Sequence, residues 1–215
     1  FRAYVVSRAA TKRTRIPSCF PCFPSNPIWF VHNNAIALYW ADMDAPQESP
    51  IYVVIVNWNL PEDTIACVRS LLEDGFAPDQ LLVVDNGSTD GSLGKIGGAF
   101  SPPPQLVRSE RNLGFAGGNN LGIERLLEQG AQWVWLLNND TIVPRGTRGE
   151  LERAIVEHPD FALLSPLILY HSEPERIWSV GNRVRWRTLL TRDPYKDKPI
   201  LEGIPPLVEV DSLTG

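Results

Sequence analysis

The side chains best suited to bind a ligand are amides and carboxylates that directly follow four apolar segments. Asparagine and aspartate side chains offer hydrogen-bond donors and acceptors, and carboxylates also hold divalent cations. A glycine-rich stretch among them leads toward a helix, whose N-terminus can bind phosphate through free N–H groups. The four polar stretches are residues 57–59, 85–91, 111–120 and 138–141.

Each stretch also has a purely structural interpretation. Asp85, Asn86 and Gly87 suit a turn, residues 114–118 suit a loop before a helix, and Asp140 could cap the next helix. Such roles would scatter polar residues over both edges of a sheet. Because all four stretches come at the ends of apolar segments, a shared binding site is the favoured interpretation.

The apolar segments predict the strands of a parallel sheet with helices between them. Continuous β-branched and apolar runs, typical of strands buried on both faces, cover residues 51–56, 81–84, 106–107 and 133–137. Helical spacing predicts a helix capped by Asn59, with Pro61 in its first turn and Gly75 after its end. Further helices are predicted over 118–129 and 148–158, and the second is followed by an apolar run at 161–164. This alternation predicts a three-layer α/β/α fold with a mostly parallel sheet, in which ligands bind at the carboxyl ends of the strands.

Two tryptophan pairs add local predictions. Trp133 and Trp135 alternate on the fourth strand, and we expect both to pack under helices. The segment from Trp178 to Trp186 predicts a hairpin with Gly181 and Asn182 as its turn.

Composition narrows the classes of function. The net charge of −5 and the pI near 5.3 argue against nucleic-acid binding. Three cysteines do not make a disulfide framework, and the Cys19–Cys22 pair lacks a partner pair for zinc. No run approaches the roughly 20 apolar residues of a membrane span, so none is predicted.

The N-terminal residues 1–48 are predicted to be an irregular, basic and proline-rich extension, whereas 51–215 form the folded domain. Residues 1–41 contain no acidic side chain. Met43, the only methionine, is a candidate natural start, which would make the preceding residues foreign to the native protein. A targeting or membrane-proximal arm is the alternative interpretation.

Four motifs together resemble the family 2 glycosyltransferases of the GT-A fold, a Rossmann-like nucleotide-binding architecture, and especially their bacterial rhamnosyltransferase-like branch. The resemblance covers residues 51–170 in the expected order. The motifs are Val54-Ile-Val-Asn-Trp-Asn59, Val84-Asp-Asn-Gly-Ser-Thr-Asp-Gly91, Asn112-Leu-Gly-Phe-Ala-Gly-Gly-Asn-Asn-Leu-Gly-Ile123 and Leu136-Leu-Asn-Asn-Asp-Thr141.

The resemblance implies a site for a dTDP- or UDP-linked sugar. Asp85 matches the acid that hydrogen-bonds the base, with Asn57 and Asn86 beside it. Asp140 matches the last acid of the Asp-x-Asp motif, which binds Mg²⁺ or Mn²⁺, whereas Asn138 replaces the first acid and supplies no charge. The metal site should therefore depend on Asp140 and the diphosphate. The loop over the ribose and diphosphate is matched by Asn112, Gly114 and Asn120.

The reaction that the resemblance implies is an inverting displacement, which needs a carboxylate general base near the acceptor hydroxyl. The matching acidic stretch is expected beyond Gly215, so the sequence is expected to be truncated, able to bind the donor and poor at transfer. Glu173 and Glu175 are interpreted as solvated surface carboxylates, and Asp211 is not favoured as the base.

The implied acceptor is a saccharide, an extended polysaccharide or a lipid-linked molecule, and the implied location is the cytoplasm, including the inner face of the membrane through peripheral association. A non-catalytic nucleotide-binding module or relic of the same fold is the alternative function. A dehydrogenase is disfavoured because Asn57-Trp-Asn-Leu-Pro follows the first strand where G-x-G-x-x-G is needed.

Overall fold

The computed structural model of the protein describes residues 4–7, 50–200 and 204–213. The predictions for Cys19, Cys22, Met43 and the rest of the N-terminal extension lie outside these residues, apart from the short segment Tyr4–Ser7. That segment forms a strand, β1, where an irregular extension is predicted.

A four-stranded sheet forms the centre of the domain, and all its strand pairs are parallel. Its order is β4-β3-β2-β5. The first strand of this sheet in the sequence, β2, therefore lies between β3 and β5, where the order of the strands reverses. Crevices at such a reversal, outside the carboxyl ends of the strands, are where ligands bind in open α/β sheets. The strands are β2 (Ile51–Asn57), β3 (Leu81–Asp85), β4 (Gln105–Arg108) and β5 (Trp133–Asn138).

Helices cover both faces of this sheet, which confirms the three-layer α/β prediction. The helices are α1 (Pro61–Glu73), α2 (Ser92–Gly98), α3 (Gly114–Glu128) and α4 (Thr147–Glu157). One apolar cluster joins alternate residues of β2, β3 and β5 to α1, α2 and α4. The other cluster joins the intervening strand residues to α3. Trp133 and Trp135 lie buried in the first cluster, as their alternation predicts.

Three small sheets accompany the central one. Their strands are β6 (Leu164–Pro166), β7 (Ile168–Leu169), β8 (Ile177–Ser179), β9 (Arg183–Arg185), β10 (Leu190–Arg192) and β11 (Leu207–Val210), together with β1. The strands β11, β1 and β6 form a three-stranded sheet in that order, β7 pairs with β8, and β9 pairs with β10. Among the described residues, no helix is both long and apolar enough to span a membrane.

Two helix starts differ from the predictions. Asn59 does not cap α1, whose N-cap is Leu60, because Asn59 has a φ of 55° and its Oδ1 accepts instead from the Thr89 N–H. Helix α3 begins at Gly114 rather than near Gly118, so residues predicted as a loop are helical. The short helix α2 has no counterpart among the predicted elements.

The predicted hairpin with a turn at Gly181 and Asn182 is wrong. β8 pairs with β7 and β9 pairs with β10, so the two segments flanking this turn belong to different sheets. Asn182 pairs with Ser212 and the Val184 N–H donates to Asp211 Oδ2 at 2.8 Å, which draws the backbone toward the C-terminal segment. The hairpin is formed instead by β9 and β10, and its turn lies between Arg185 and Leu190.

Candidate functional site

Asn57 ends β2, and its side chain makes three hydrogen bonds at the carboxyl edge of the sheet. It is fully buried. Its Nδ2 donates to Asp85 Oδ1 at 3.3 Å and to Ser88 Oγ at 3.1 Å, and its Oδ1 accepts from Thr64 Oγ1 at 2.8 Å. A buried amide with partners on both its oxygen and its nitrogen is held in one orientation. Asn57 thus fixes the loop after β3 to the first turn of α1.

Thr64 continues this network to the loop after β5. Its Oγ1 donates to Asn57 and accepts from Asn139 Nδ2 at 3.1 Å. The Asn59 N–H also donates to Ser88 Oγ, at 3.0 Å. The ends of three neighbouring strands, β2, β3 and β5, are therefore joined by side-chain hydrogen bonds. The predicted convergence of these loops on one edge of the sheet is what the structure shows.

Asp85 ends β3 directly beside Asn57, with which it is paired in the sheet register. Its side chain is only 2% exposed, whereas that of Arg108 at the end of β4 is 61% exposed. The Arg108 Nε lies 3.9 Å from Asp85 Oδ2, while Asn57 contacts Oδ1. The carboxylate of Asp85 is thus held between a buried amide and a solvent-facing guanidinium group.

Asn86 fastens the loop that follows β4 to the loop that follows β3. Its Oδ1 accepts from the Leu113 N–H at 2.9 Å, and its Nδ2 donates to Asn112 Oδ1 at 3.2 Å and to the Gly114 carbonyl at 3.1 Å. The side chain of Asn86 is buried, and Asn112 is exposed. Asn86 therefore shapes the loop, and Asn112 is the member of this pair that faces solvent.

Gly87 shows how closely these two loops approach. It has a φ of 76°, and a Cβ atom built there would lie 2.6 Å from the carbonyl carbon of Arg111. Any side chain at this position would collide with backbone. The turn interpretation of the segment after β3 is thus correct in form, but the turn also packs directly on the predicted binding loop.

The N-terminal turn of α3 carries the predicted residue Gly114, whose N–H donates to Asn112 Oδ1 at 2.7 Å. Asn120 lies in the second turn of this helix, about 9 Å along its axis from the first residue. No hydrogen bond joins its side chain to the Asn57–Asp85 network within the described part of the protein. Its role in donor binding stays a prediction.

The glycines of α3 have a packing function that their types and spacing do not reveal. A Cβ at Gly118 would lie 2.8 Å from Val56 Cγ1, and one at Gly122 would lie 2.5 Å from Val54 Cγ1. These residues let the helix lie close against β2. The glycine-rich composition therefore reflects helix–sheet contact as well as access to a ligand.

The loop after β5 places Asn138 and Asp140 beside a cavity of about 880 Å³. Asp140 is exposed, and Asn138 is half-buried. The cavity extends from this loop to β7 and β8, and its lining includes Ile168, Tyr170 and Trp178. Its lining mixes apolar and aromatic side chains with a few polar ones, as is common in ligand pockets.

Cys67 lies behind this loop in the core. Its Sγ contacts the Asn138 carbonyl at 3.7 Å. Burial of the thiol, and then the negative charge of Asp140, raise the pKa of Cys67 to about 12. The thiol is therefore neutral and packs as an apolar group, with no nucleophilic function at ordinary pH.

The described residues at this edge supply too few ligands to hold a divalent cation without the phosphates of a bound nucleotide. Within residues 50–200 and 204–213, no group of three or more His, Cys, Asp or Glu side chains could enclose a metal ion. Asp140 offers one exposed carboxylate that is hydrogen-bonded to no other described residue. Mg²⁺ is commonly bound by one or two carboxylates together with substrate phosphates, and a single acid suits that arrangement.

The carboxylates considered for the general base have other contacts or face solvent. Glu173 lies 3.2 Å from Arg176 Nη1, and Asp211 Oδ2 accepts from the Val184 N–H. Glu175 is exposed. That none of the three serves as the base stays a prediction.

Four residues of the network are absent from the predicted site: Thr64, Ser88, Arg108 and Asn139. Ser88 and Asn139 stand inside the quoted motifs, one position or more from the predicted residues. Thr64 lies inside a helix, where its type gives no signal. Its contact becomes evident only when α1 is placed beside the end of β2.

Comparisons with known proteins show the family. Residues 52–208 match the family described as Glycosyl transferase family 2. The galactofuranosyltransferase GlfT1 of Mycobacterium tuberculosis (strain CDC 1551 / Oshkosh) is 30% identical over 128 residues, which are 59% of this protein and 42% of the relative. GlfT1 of Mycolicibacterium smegmatis is 27% identical over 140 residues, covering 65% of this protein and 46% of the relative. The matched segment thus spans less than half the length of these curated relatives.

Two solved structures are similar to part of this protein. TarS of S. aureus has a TM-score of 0.42 and 21% identity, covering 51% of this protein and 20% of TarS. The mannosyltransferase PcManGT from Pyrobaculum calidifontis, solved with GDP-Man and Mn²⁺, has a TM-score of 0.41 and 21% identity, covering 55% of this protein and 36% of PcManGT. The family match extends over most of the described domain, and the chain belongs to glycosyl transferase family 2.

Proposed function

We propose that this protein binds a nucleoside diphosphate sugar, dTDP- or UDP-linked, at the carboxyl edge of its central sheet. The observation that carries the proposal is the hydrogen-bonded network through Asn57 that joins the ends of β2, β3 and β5. A rigid edge of this kind presents a carboxylate at one end and a second carboxylate, Asp140, at the other. We place the base at the first and the diphosphate at the second.

Asp85 is the proposed acceptor for the imide N–H of the base. Because its side chain is 2% exposed, the base reaches it only when the Arg108 guanidinium moves away from Oδ2. Trp58, which follows Asn57 and is 53% exposed, offers an aromatic face at the same edge. Asn138 would donate to a ribose hydroxyl, and the loop and helix start with Asn112, Gly114 and Asn120 would close over the bound nucleotide.

Asp140 is proposed to hold a divalent cation, Mg²⁺ or Mn²⁺, together with the diphosphate oxygens. When bound, the cation neutralises the charge that develops on the leaving diphosphate. One carboxylate gives weak affinity in the absence of nucleotide. The protein's own contribution is then to orient the donor and to exclude water from the cavity beside Asp140.

We further propose that the whole protein transfers the sugar to a saccharide, polysaccharide or lipid-linked acceptor, with inversion at the anomeric carbon. The 880 Å³ cavity has room for the sugar and part of an acceptor. We propose a general base outside the residues described above and a reaction at the cytoplasmic face of a membrane. The rhamnosyltransferase-like branch remains our proposal for its place within the family, and the curated relatives named above are galactofuranosyltransferases.

A calorimetric titration tests the donor site. We expect UDP or dTDP to bind the wild-type protein and Asp85→Asn to weaken that binding by roughly tenfold or more, since it replaces a charged acceptor. Arg108→Gln, which frees Oδ2 without removing the carboxylate, is the matched variant and should retain binding. Equal affinity of wild type and Asp85→Asn for every nucleotide would contradict the assignment.

A non-catalytic nucleotide-binding module is the competing function. Assays of a longer protein that extends past Gly215 distinguish the enzyme from the non-catalytic module. Release of nucleoside diphosphate from a sugar donor by the longer protein, in the presence of acceptor, supports the enzyme. Binding without release by both forms supports the module.

A further inference from the structure

The hairpin formed by β9 and β10 carries a surface that the donor site does not explain. Eight large apolar side chains are exposed in the part of the protein that the structure describes, and three of them are Trp186, Leu189 and Leu190. They are 73%, 73% and 64% exposed, respectively. Such a cluster within five residues is uncommon on a surface that faces only water.

The same hairpin is strongly basic. Residues 183–192 contain four Arg and no acidic residue, a net charge of +4, whereas the whole sequence has a net charge of −5. None of the hairpin arginines forms an ion pair with another described residue. These arginines are Arg183, Arg185, Arg187 and Arg192.

The strand register places three of these charges on one face. Arg183 lies opposite Arg192, and Arg185 lies opposite Leu190. Cross-strand partners share a face, and like charges directly opposite each other destabilise a hairpin. This arrangement works against the fold of the isolated hairpin, which indicates that an external anion is its partner.

The tip of the hairpin shows a second local cost. Leu189 has a φ of 54°, in the left-handed region that glycine and asparagine adopt more readily than leucine. A leucine at this position gives no packing in return, since its side chain is exposed. A leucine at this exposed position is explained if its side chain is buried against a separate apolar phase.

We propose that the β9–β10 hairpin docks on an anionic lipid surface. Leu189, Leu190 and Trp186 would insert at the interface of the acyl chains and headgroups, and the arginines would contact lipid phosphates. A nucleic acid would match the charge and could stack on Trp186, but it offers nothing to two adjacent exposed leucines. The base of the hairpin is held by the bond from the Val184 N–H to Asp211, so the tip can project as a unit.

Flotation of the 215-residue protein with vesicles tests this proposal. We expect binding to vesicles with roughly one third phosphatidylglycerol in phosphatidylcholine, weak binding to pure phosphatidylcholine, and release by about 0.5 M salt. Each arginine near an anionic surface contributes roughly fivefold to partitioning, so removing three lowers it by on the order of 100-fold. The charge variant is Arg185→Gln, Arg187→Gln and Arg192→Gln, and its matched control is Arg69→Gln, Arg125→Gln and Arg145→Gln.

Leu189→Asn gives the sharpest single variant. Asparagine tolerates the left-handed backbone, so thermal stability should be kept or raised while partitioning falls by about tenfold. Val156→Ser, which changes an exposed apolar residue on α4, should leave partitioning unchanged. Quenching of tryptophan fluorescence by brominated acyl chains should occur in wild type and be lost in Trp186→Phe.

Several results would overturn the proposal. They are an absence of binding to anionic vesicles at about 0.1 M salt, binding that Leu189→Asn and the charge variant leave unchanged, and binding to DNA but not to vesicles. The proposal does not depend on the donor site, so the Asp85→Asn variant should float with vesicles as the wild-type protein does.

Discussion

Replacing Asn57 by aspartate exchanges an amide donor for a carboxylate at a buried position that bonds to Asp85, Ser88 and Thr64. Asn57 Nδ2 lies 3.3 Å from Asp85 Oδ1, and both residues are buried. Asn57→Asp sets two carboxylates against each other and removes the N–H donor to Ser88 Oγ. At an effective dielectric constant of about 20, unit charges about 4 Å apart repel by about 4 kcal/mol. We expect the free energy of unfolding at pH 7 to fall by roughly 3–5 kcal/mol.

The loss should depend on pH with a definite sign. A carboxylate neighbour raises the folded-state pKa of the introduced carboxyl above its unfolded value of about 3.9. Stability is then complete below the unfolded pKa and falls as the pH rises through the folded pKa. Urea unfolding of Asn57→Asp and wild type between about pH 4.5 and 7.5 measures this difference, which should shrink toward acid.

The double variant Asn57→Asp, Asp85→Asn is the matched control. It exchanges the two groups and restores one donor beside one acceptor, so it should regain at least half of the lost free energy. Nucleotide binding should remain weak, because the carboxylate no longer stands at position 85. If Asn57→Asp unfolds within about 0.5 kcal/mol of wild type at every pH, or if the exchange regains nothing, the two side chains are not in contact.

Three further predictions concern packing, the buried thiol and the metal. Gly122→Ala should destabilise the protein by about 1–3 kcal/mol in urea unfolding, because its Cβ would lie 2.5 Å from Val54. Gly94→Ala, which adds a Cβ in open space on α2, should be neutral or stabilising, and equal effects of the two substitutions would contradict the packing of Gly122. In a protein whose other two cysteines are serine, Cys67 should react with an alkylating reagent only on unfolding, and rapid native labelling at pH 8 would refute its burial. Relative to Cys67→Ala, the stability of this protein should fall by up to about 1.4 kcal/mol per pH unit between the unfolded pKa of the thiol, near 9, and its folded pKa of about 12. Asp140→Asn should lower nucleotide affinity in Mn²⁺ by about tenfold or more in calorimetry and change it little without metal; an equal loss in both conditions would argue against a metal ligand.

The strands can be predicted because their burial is visible in the sequence itself. All five residues of β3 and four of the first five of β2 are buried, and apolar runs of that length have few other interpretations. The convergence of the polar stretches follows from the rule that parallel strands end at one edge. The ends of the strands, and hence the positions of Asn57, Asp85 and Asn138, are therefore predictable without coordinates.

The partners of these residues cannot be predicted, since they depend on how one element is rotated against another. Thr64 reaches Asn57 only because α1 presents that face to the end of β2. The start of α3 is predicted too late because glycine disfavours helices in isolation. Further along the helix, Gly118 and Gly122 allow close contact with Val56 and Val54, so packing favours glycine where local propensity does not.

The position of the β9–β10 hairpin is hidden from the sequence for a similar reason. Gly181 and Asn182 form an ordinary turn signal, but Asn182 pairs with Ser212, far along the sequence. Such a long-range pairing leaves no local mark in the residue pattern.

Crystals of the protein grown with a nucleoside diphosphate and Mn²⁺ would test the donor-site assignment most directly. Anomalous scattering locates the cation without reference to the rest of the map. We expect a manganese peak about 2.0–2.3 Å from an Asp140 carboxylate oxygen and from diphosphate oxygens, with the base within hydrogen-bond distance of Asp85. A nucleotide bound away from the carboxyl edge of the sheet, or a cation without contact to Asp140, would contradict it.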